Sequence, residues 1–167
     1  LQSPFEHSIR GESFYAIAKN ANTTNKTFLS RNFVTGEAYD LEHVLTITVL
    51  FRIIIANPSS PIKLALTSEK IGEDVHGQFM SYLRQPVFSI IAKNANDEDE
   101  EKFCDIIDET LRKLVSGGID HKLIQASINY VEFQMRERES GFSPEGYTIL
   151  NQILTCWLNN HDPIEML

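Results

Sequence analysis

The chain has 167 residues, 42% of them hydrophobic and 23% charged, with a formal net charge of −8. That composition belongs to a globular chain with core enough for one domain, expected to be soluble and intracellular with no compartment assigned. Net negative charge excludes a basic nucleic-acid-binding surface, and no apolar run reaches the ~18 residues of a membrane helix. The longest candidate, residues 44–56, is interrupted by Thr46, Thr48 and Arg52 and reads as a buried helix. No signal peptide is recognisable and the first residue is Leu1, not Met, so an excised piece or processed product is expected.

Residues 1–11 read as a connector, with Pro4, Gly11 and no sustained period, and residues 12–167 as a single domain. Residues 12–18 are a candidate first strand, followed by an asparagine-rich turn over 19–25. Residues 27–35 are rich in strand formers (Phe28, Phe33, Val34) and close on Gly36. Asp40 then caps a helix whose apolar residues, from Leu41 to Ile55, occupy more than one face, so it must be covered on several sides. Asn57, Pro58 and Ser59 stop it, and Ser60 with Pro61 at the first helical position starts a shorter helix. Gly72 and Gly77 are expected to bracket a loop, with strands over 80–83 and 87–92. Pro86 cannot donate to a ladder and belongs at a strand start or an edge.

Asp97 and Glu100 have capping-box spacing before a helix with Phe103, Ile106, Ile107, Leu111, Leu114 and Val115 in an i, i+3, i+4 stripe. Gly117 and Gly118 end it, and Asp120 caps a helix running to about Glu139. Ser143 and Pro144 open the last helix, whose apolar side carries Ile149, Leu150, Ile153, Leu154, Trp157 and Leu158. The hexapeptide IAKNAN occurs at 17–22 and again at 91–96, and both copies read as strand ends entering a turn. The succession is α+β: a mostly antiparallel sheet with helices packed on one face.

Few residues suggest chemistry. Between Asp97 and Glu109 eight carboxylates face one lysine, Lys102. A solvated helix start favoured by the helix dipole explains this more simply than a face recruiting basic peptides. Cys104 and Cys156 sit at apolar helix positions and read as buried thiols, although a disulfide stays open. Asn22 and Asn25 begin glycosylation sequons that are discounted without a signal peptide. Gly11-Glu12-Ser13 lacks nucleophile-elbow spacing, and Gly117-Gly118 matches no phosphate loop. Glu132, Glu137, Glu139, Arg136 and Arg138 read as ion pairs on a helix, with Glu132 and Arg136 in the better i, i+4 order. Trp157, at helical spacing with Leu154 and Leu158, is expected in the core rather than as a binding platform.

Four blocks in order carry a resemblance. Residues 26–36 read KTFLSRNFVTG, 61–77 PIKLALTSEKIGEDVHG, and 84–94 RQPVFSIIAKN. In the fourth, Asn129, Glu132, Phe133, Arg136 and Glu137 precede a turn at Phe142-Ser143-Pro144-Glu145-Gly146, then Trp157, Asp162 and Pro163. Together they resemble the insulinase-type (pitrilysin) zinc metallopeptidases, in the branch with presequence protease and falcilysin. The resemblance implies the second, non-zinc domain of the N-terminal half, with that family's α+β fold. It implies that zinc lies in the parent protein's first domain, on a His-x-x-Glu-His helix whose imidazoles stand one turn apart. Here the two Glu-His pairs, Glu6-His7 and Glu42-His43, have Ser3 and Tyr39 where the first histidine should stand. His76, His121 and His161 are at no ligand spacing. The expectation is therefore no catalytic, cofactor-binding or metal residue in this chain.

Two functions follow. The leading one is a non-catalytic domain of a large zinc metalloendopeptidase that degrades peptides, forming part of the wall of its substrate chamber. The chain alone is then inactive. Its partners are other domains of the parent and unfolded peptides, with self-association through exposed interdomain surface. The alternative is a free-standing, inactive interaction subunit of the same fold. A His-x-x-Glu-His helix upstream in the same chain would favour the first.

Overall fold

Three strands pair into one antiparallel sheet, in the order β1–β3–β2: β1 (Thr27–Val34), β2 (Asp74–Met80) and β3 (Val87–Ala95). The computed structural model describes residues 4–37, 40–137, 144–158 and 162–166. Across the sheet Leu29, Ala92 and Val75 share one level, Arg31, Ile90 and Gly77 the next, and Phe33, Phe88 and Phe79 the third. Side chains at paired positions point the same way, so these three rows form one face. That face is the core: Leu29, Val75, Phe88, Ile90 and Ala92 are all buried. Pro86 lies just before β3, where its carbonyl accepts from the Thr35 N–H at 2.9 Å, as its missing donor requires.

The helices pack on this face. Asp40 caps α1 (Leu41–Phe51), its carboxylate accepting from the His43 N–H at 2.9 Å. The helix then widens into a π-helical turn, Arg52–Ala56. Ile53 and Ile55 are both buried, so this turn is covered from more than one side. The sheet lies beneath Ile55, over Gly77, and α4 lies elsewhere around it, where the Arg52 guanidinium stacks on Tyr130. The freed Arg52 carbonyl accepts from Asn57 Nδ2 at 3.1 Å and Ser60 Oγ at 3.4 Å. That double use fixes the bend before α2 (Pro61–Ser68), which buries Ile62 and Leu66.

By length and hydropathy the helical run Leu41–Ser68 is apolar enough to cross a membrane. Its geometry argues against a span. The run is bent at Asn57 and Ser60, whose backbones are extended, and neither arm alone reaches the ~20 residues a bilayer needs. Ile55, Ile62 and Leu66 are committed to the protein core.

α3 (Glu100–Gly117) lays Phe103 and Ile107 into the core and ends before Gly118, whose φ of 75° is left-handed. Arg31, alone among core-facing residues of β1 in carrying charge, reaches α3 and pairs there. Its guanidinium donates to the Cys104 carbonyl at 2.9 Å and meets Asp108 at 2.9 Å. α4 (His121–Glu137) starts at Asp120, whose carboxylate accepts from the Lys122 N–H at 2.9 Å. α5 (Glu145–Leu158) follows, with Cys156 buried.

The α+β class, the antiparallel pairing and the one-sided helix layer agree with expectation; several local readings do not. Residues 12–18 form no strand; they run exposed beside β1, where Tyr15 meets Phe28 edge-on at 5.6 Å. Gly77 lies within β2 and not at a loop edge, and β2 ends at Met80 instead of beginning there. The capping box is Asn96 with Asp99, one residue earlier than Asp97 with Glu100. Val115 leaves the apolar stripe for solvent, 87% exposed near the end of α3. Trp157 is 61% exposed, not core. Arg138, Glu139, Phe142, Ser143 and His161 lie outside the described residues, as do Ser3 and Tyr39.

Candidate functional site

The alternation that buries one face of the sheet turns the other outward. On β1 this open face presents Ser30, Asn32 and Val34, all exposed, with Phe28 at the irregular end of the ladder. On β2 it carries exposed Asp74 and Gln78 with half-buried His76 and Met80, and on β3 half-buried Val87, Ile91 and Lys93 around a buried Ser89. Asn32, Ser89 and Gln78 form one row across the three strands, and Ser30, Ile91 and His76 the next. Hydroxyl and amide groups are thereby set between apolar side chains on a rigid, hydrogen-bonded support. Such a surface offers both dispersion contact and hydrogen bonds, with its charge gathered at the end where Asp74 pairs with Lys93.

The histidines do not converge. His43 sits in the first turn of α1, its Nε2 against the Thr35 carbonyl, tying the helix to the end of β1. His76 lies on β2 with Nδ1 3.7 Å from an Asp74 carboxylate oxygen. His121 begins α4 and His7 lies in the irregular segment before β1. Among the described residues no three His, Cys, Asp or Glu side chains group so as to hold a metal ion. The described residues therefore do not fit a zinc ion. No disulfide joins the two cysteines: Cys156 is buried and Cys104 half-buried on α3.

The acidic stretch is largely engaged in structure. Glu100 takes both prongs of Arg10, at 2.7 and 3.0 Å, Asp108 holds Arg31, and Glu109 holds Lys113 at 2.7 Å. Lys102 turns instead to Glu69 at 2.7 Å. Asp97 accepts from the Thr27 hydroxyl and Asp99 from the Asn96 N–H. A recess of about 370 Å³ lies beside it, lined by Thr23, Asn25, Thr27, Asn96, Asp97 and Glu98. Across it the Thr27 hydroxyl donates to Asp97 and the Asn25 N–H to Asn96 Oδ1, so its walls serve the joint between β1 and α3. Glu132 and Arg136 pair on α4 as their spacing implied. The open face was missed in the sequence, although Ser30 and Asn32 alternating with Leu29, Arg31 and Phe33 are its signal.

One helix layer on an antiparallel sheet is also the architecture of solved inactive peptidase domains. The inactive peptidase domain of a candidate zinc protease from Bordetella parapertussis superposes with a TM-score of 0.65, covering 77% of this chain and 69% of that one at 16% identity. A candidate zinc protease from Bordetella pertussis gives 0.64, covering 80% and 72% at 15% identity. Residues 5–131 match the model of the family described as the Peptidase M16 inactive domain. The chain belongs to that family.

Among curated relatives, Protein HypA of Clostridium perfringens is 39% identical over 163 residues, which is 97% of this chain and 17% of that protein. Presequence protease 1, chloroplastic/mitochondrial, of Arabidopsis thaliana is 30% identical over 169 residues, 100% of this chain and 16% of that protein. The chain thus spans about a sixth of the length of the curated relatives it matches. The insulinase-type resemblance, with its presequence protease branch, stands.

Proposed function

We propose that this chain is a non-catalytic domain of a larger zinc metalloendopeptidase, and that the open face of its sheet forms part of the wall of the substrate chamber. The one-sided sheet carries this reading. A domain whose only task was to fold would gain by covering Phe28 and Val34, each about half exposed. Here they stand between exposed Ser30, Asn32 and Gln78, a mixture suited to unfolded peptides of varied sequence. Zinc and the water it activates belong to another domain of the same polypeptide, and this domain's work is to shape and limit the space. The names of the presequence protease relatives support peptides as the substrate class.

The test uses the complete polypeptide carrying Asn32→Trp together with Gln78→Trp, which fills space on the open face without touching the core. Turnover of a long unfolded peptide should fall by about 10-fold, equivalent to ~1.4 kcal/mol. Turnover of a short fluorogenic peptide should stay at the unsubstituted rate. Equal losses on both substrates, or no loss on either, would remove the open face from the chamber.

A further inference from the structure

α5 has a second apolar face. Between Gly146 and Leu158 it carries no charged residue over thirteen positions, whereas α3 carries eight charged residues in its 18. Tyr147, Leu150, Leu154 and Trp157 follow one another at intervals of three and four, so they line one side of the helix. All four are exposed, while Cys156 on another side is buried against the protein. Leu158 beside them is 84% exposed. A helix bathed in water on that side would gain from charge there; this one has none. The pattern is that of a helix covered on two sides, with one cover present.

The occupant follows from three observations. First, all these side chains lie beyond residue 131, where the match to the inactive-domain model ends. Second, the relatives that align with essentially the whole of this chain devote only 16–17% of their length to it, so their polypeptides contain ample further structure. Third, a bilayer does not fit. At 14 residues the helix is ~21 Å long against ~30 Å of hydrocarbon, and it lacks the Lys and Arg that seat a helix at a lipid surface.

We infer that the Tyr147–Leu150–Leu154–Trp157 stripe is an internal interface, covered by an apolar surface of another domain of the same polypeptide. This rests on the reading of the chain as one domain of a longer protein. Immunoblotting of source cells comes first: a polypeptide of only these 167 residues would overturn both readings together. In the complete polypeptide, Trp157→p-benzoylphenylalanine is then irradiated and the products mapped by mass spectrometry. The expected product is an intramolecular crosslink from position 157 to residues outside this segment, with a yield independent of concentration. Crosslinks between two copies, crosslinks confined to these 167 residues, or no crosslink would each overturn the interface and leave the chamber-wall reading standing.

A matched pair of variants reads the same interface energetically. Leu158 and Val115 are 84% and 87% exposed in this chain. Leu158→Glu should lower the first thermal transition of the complete polypeptide by several degrees, and Val115→Glu should leave it in place. Equal shifts, or none, would overturn the interface.

Discussion

At position 77 the sheet has room for a hydrogen and nothing larger. A Cβ on Gly77 would lie 2.4 Å from Ile55 Cγ2 and 2.7 Å from Phe51 Cε2. Neither neighbour has anywhere to go. Ile55 is fully buried, and the Phe51 ring is held against Phe79 and Phe88 at centroid distances of 6.4 and 5.6 Å. Gly77→Ala must therefore lift the π-helical turn away from β2. Overpacking of this kind costs about 1–3 kcal/mol, so the denaturant midpoint of the chain should fall clearly. An unchanged midpoint would mean that the turn rides freely over the sheet. The residue was hard to read because glycine in sequence signals a loop, whereas here it marks close approach of a helix to a strand. Trp157 is the converse case. Its spacing with Leu154 and Leu158 identified an apolar face correctly, but periodicity reports that a face is apolar and not what lies against it.

Among the elements, the repeated hexapeptide shows where local sequence stops deciding. IAKNAN at 91–96 ends β3, because Ile91 and Ala92 are hydrogen-bonded between β1 and β2 and Asn96 caps the next turn. The same six residues at 17–22 form no strand and are exposed throughout. Six residues of strand propensity need partners to become a strand, and pairing is a tertiary fact. Helix starts were more legible, since Asp40, Ser60 with Pro61, and Asp120 act within a few residues of themselves. Charge on α3 is equally local. The Lys113 ammonium holds the Glu109 carboxyl below its ordinary value, through its hydrogen bond first and its charge second. A depressed carboxyl stabilises the fold above its unfolded-chain pKa and stops doing so as pH falls through its folded value. Lys113→Ala should therefore move the Glu109 titration to higher pH in a carboxyl-carbon NMR experiment. The variant and the parent chain should converge in stability once the pH is below both values. A Glu109 midpoint that does not move would show that Lys113 leaves it unperturbed in solution.

At the scale of the molecule two surfaces left open among the described residues differ in kind. The open sheet face mixes Ser30, Asn32 and Gln78 with Phe28 and Val34, which water can wet. The α5 stripe is unrelieved by charge and ends at an indole 61% exposed. Monomeric proteins seldom leave a contiguous apolar patch of that kind in water. The wide apolar surface of α1 raised the same expectation in the sequence, yet its apolar side chains are all at least half-covered by β2, α4 and one another. Of the two helices, the burden falls on α5. The isolated chain should therefore self-associate through this stripe, and sedimentation velocity over a concentration series should show a monomer giving way to dimer. Leu158→Glu places a carboxylate in the contact and should restore the monomer, because burying an unpaired charge costs far more than the apolar contact returns. Val115→Glu, equally exposed but at the far end of α3, should leave the dimer intact. A chain that stays monomeric at every concentration would mean that α5 tolerates water, and dimers indifferent to Leu158→Glu would move the contact to the open face of the sheet.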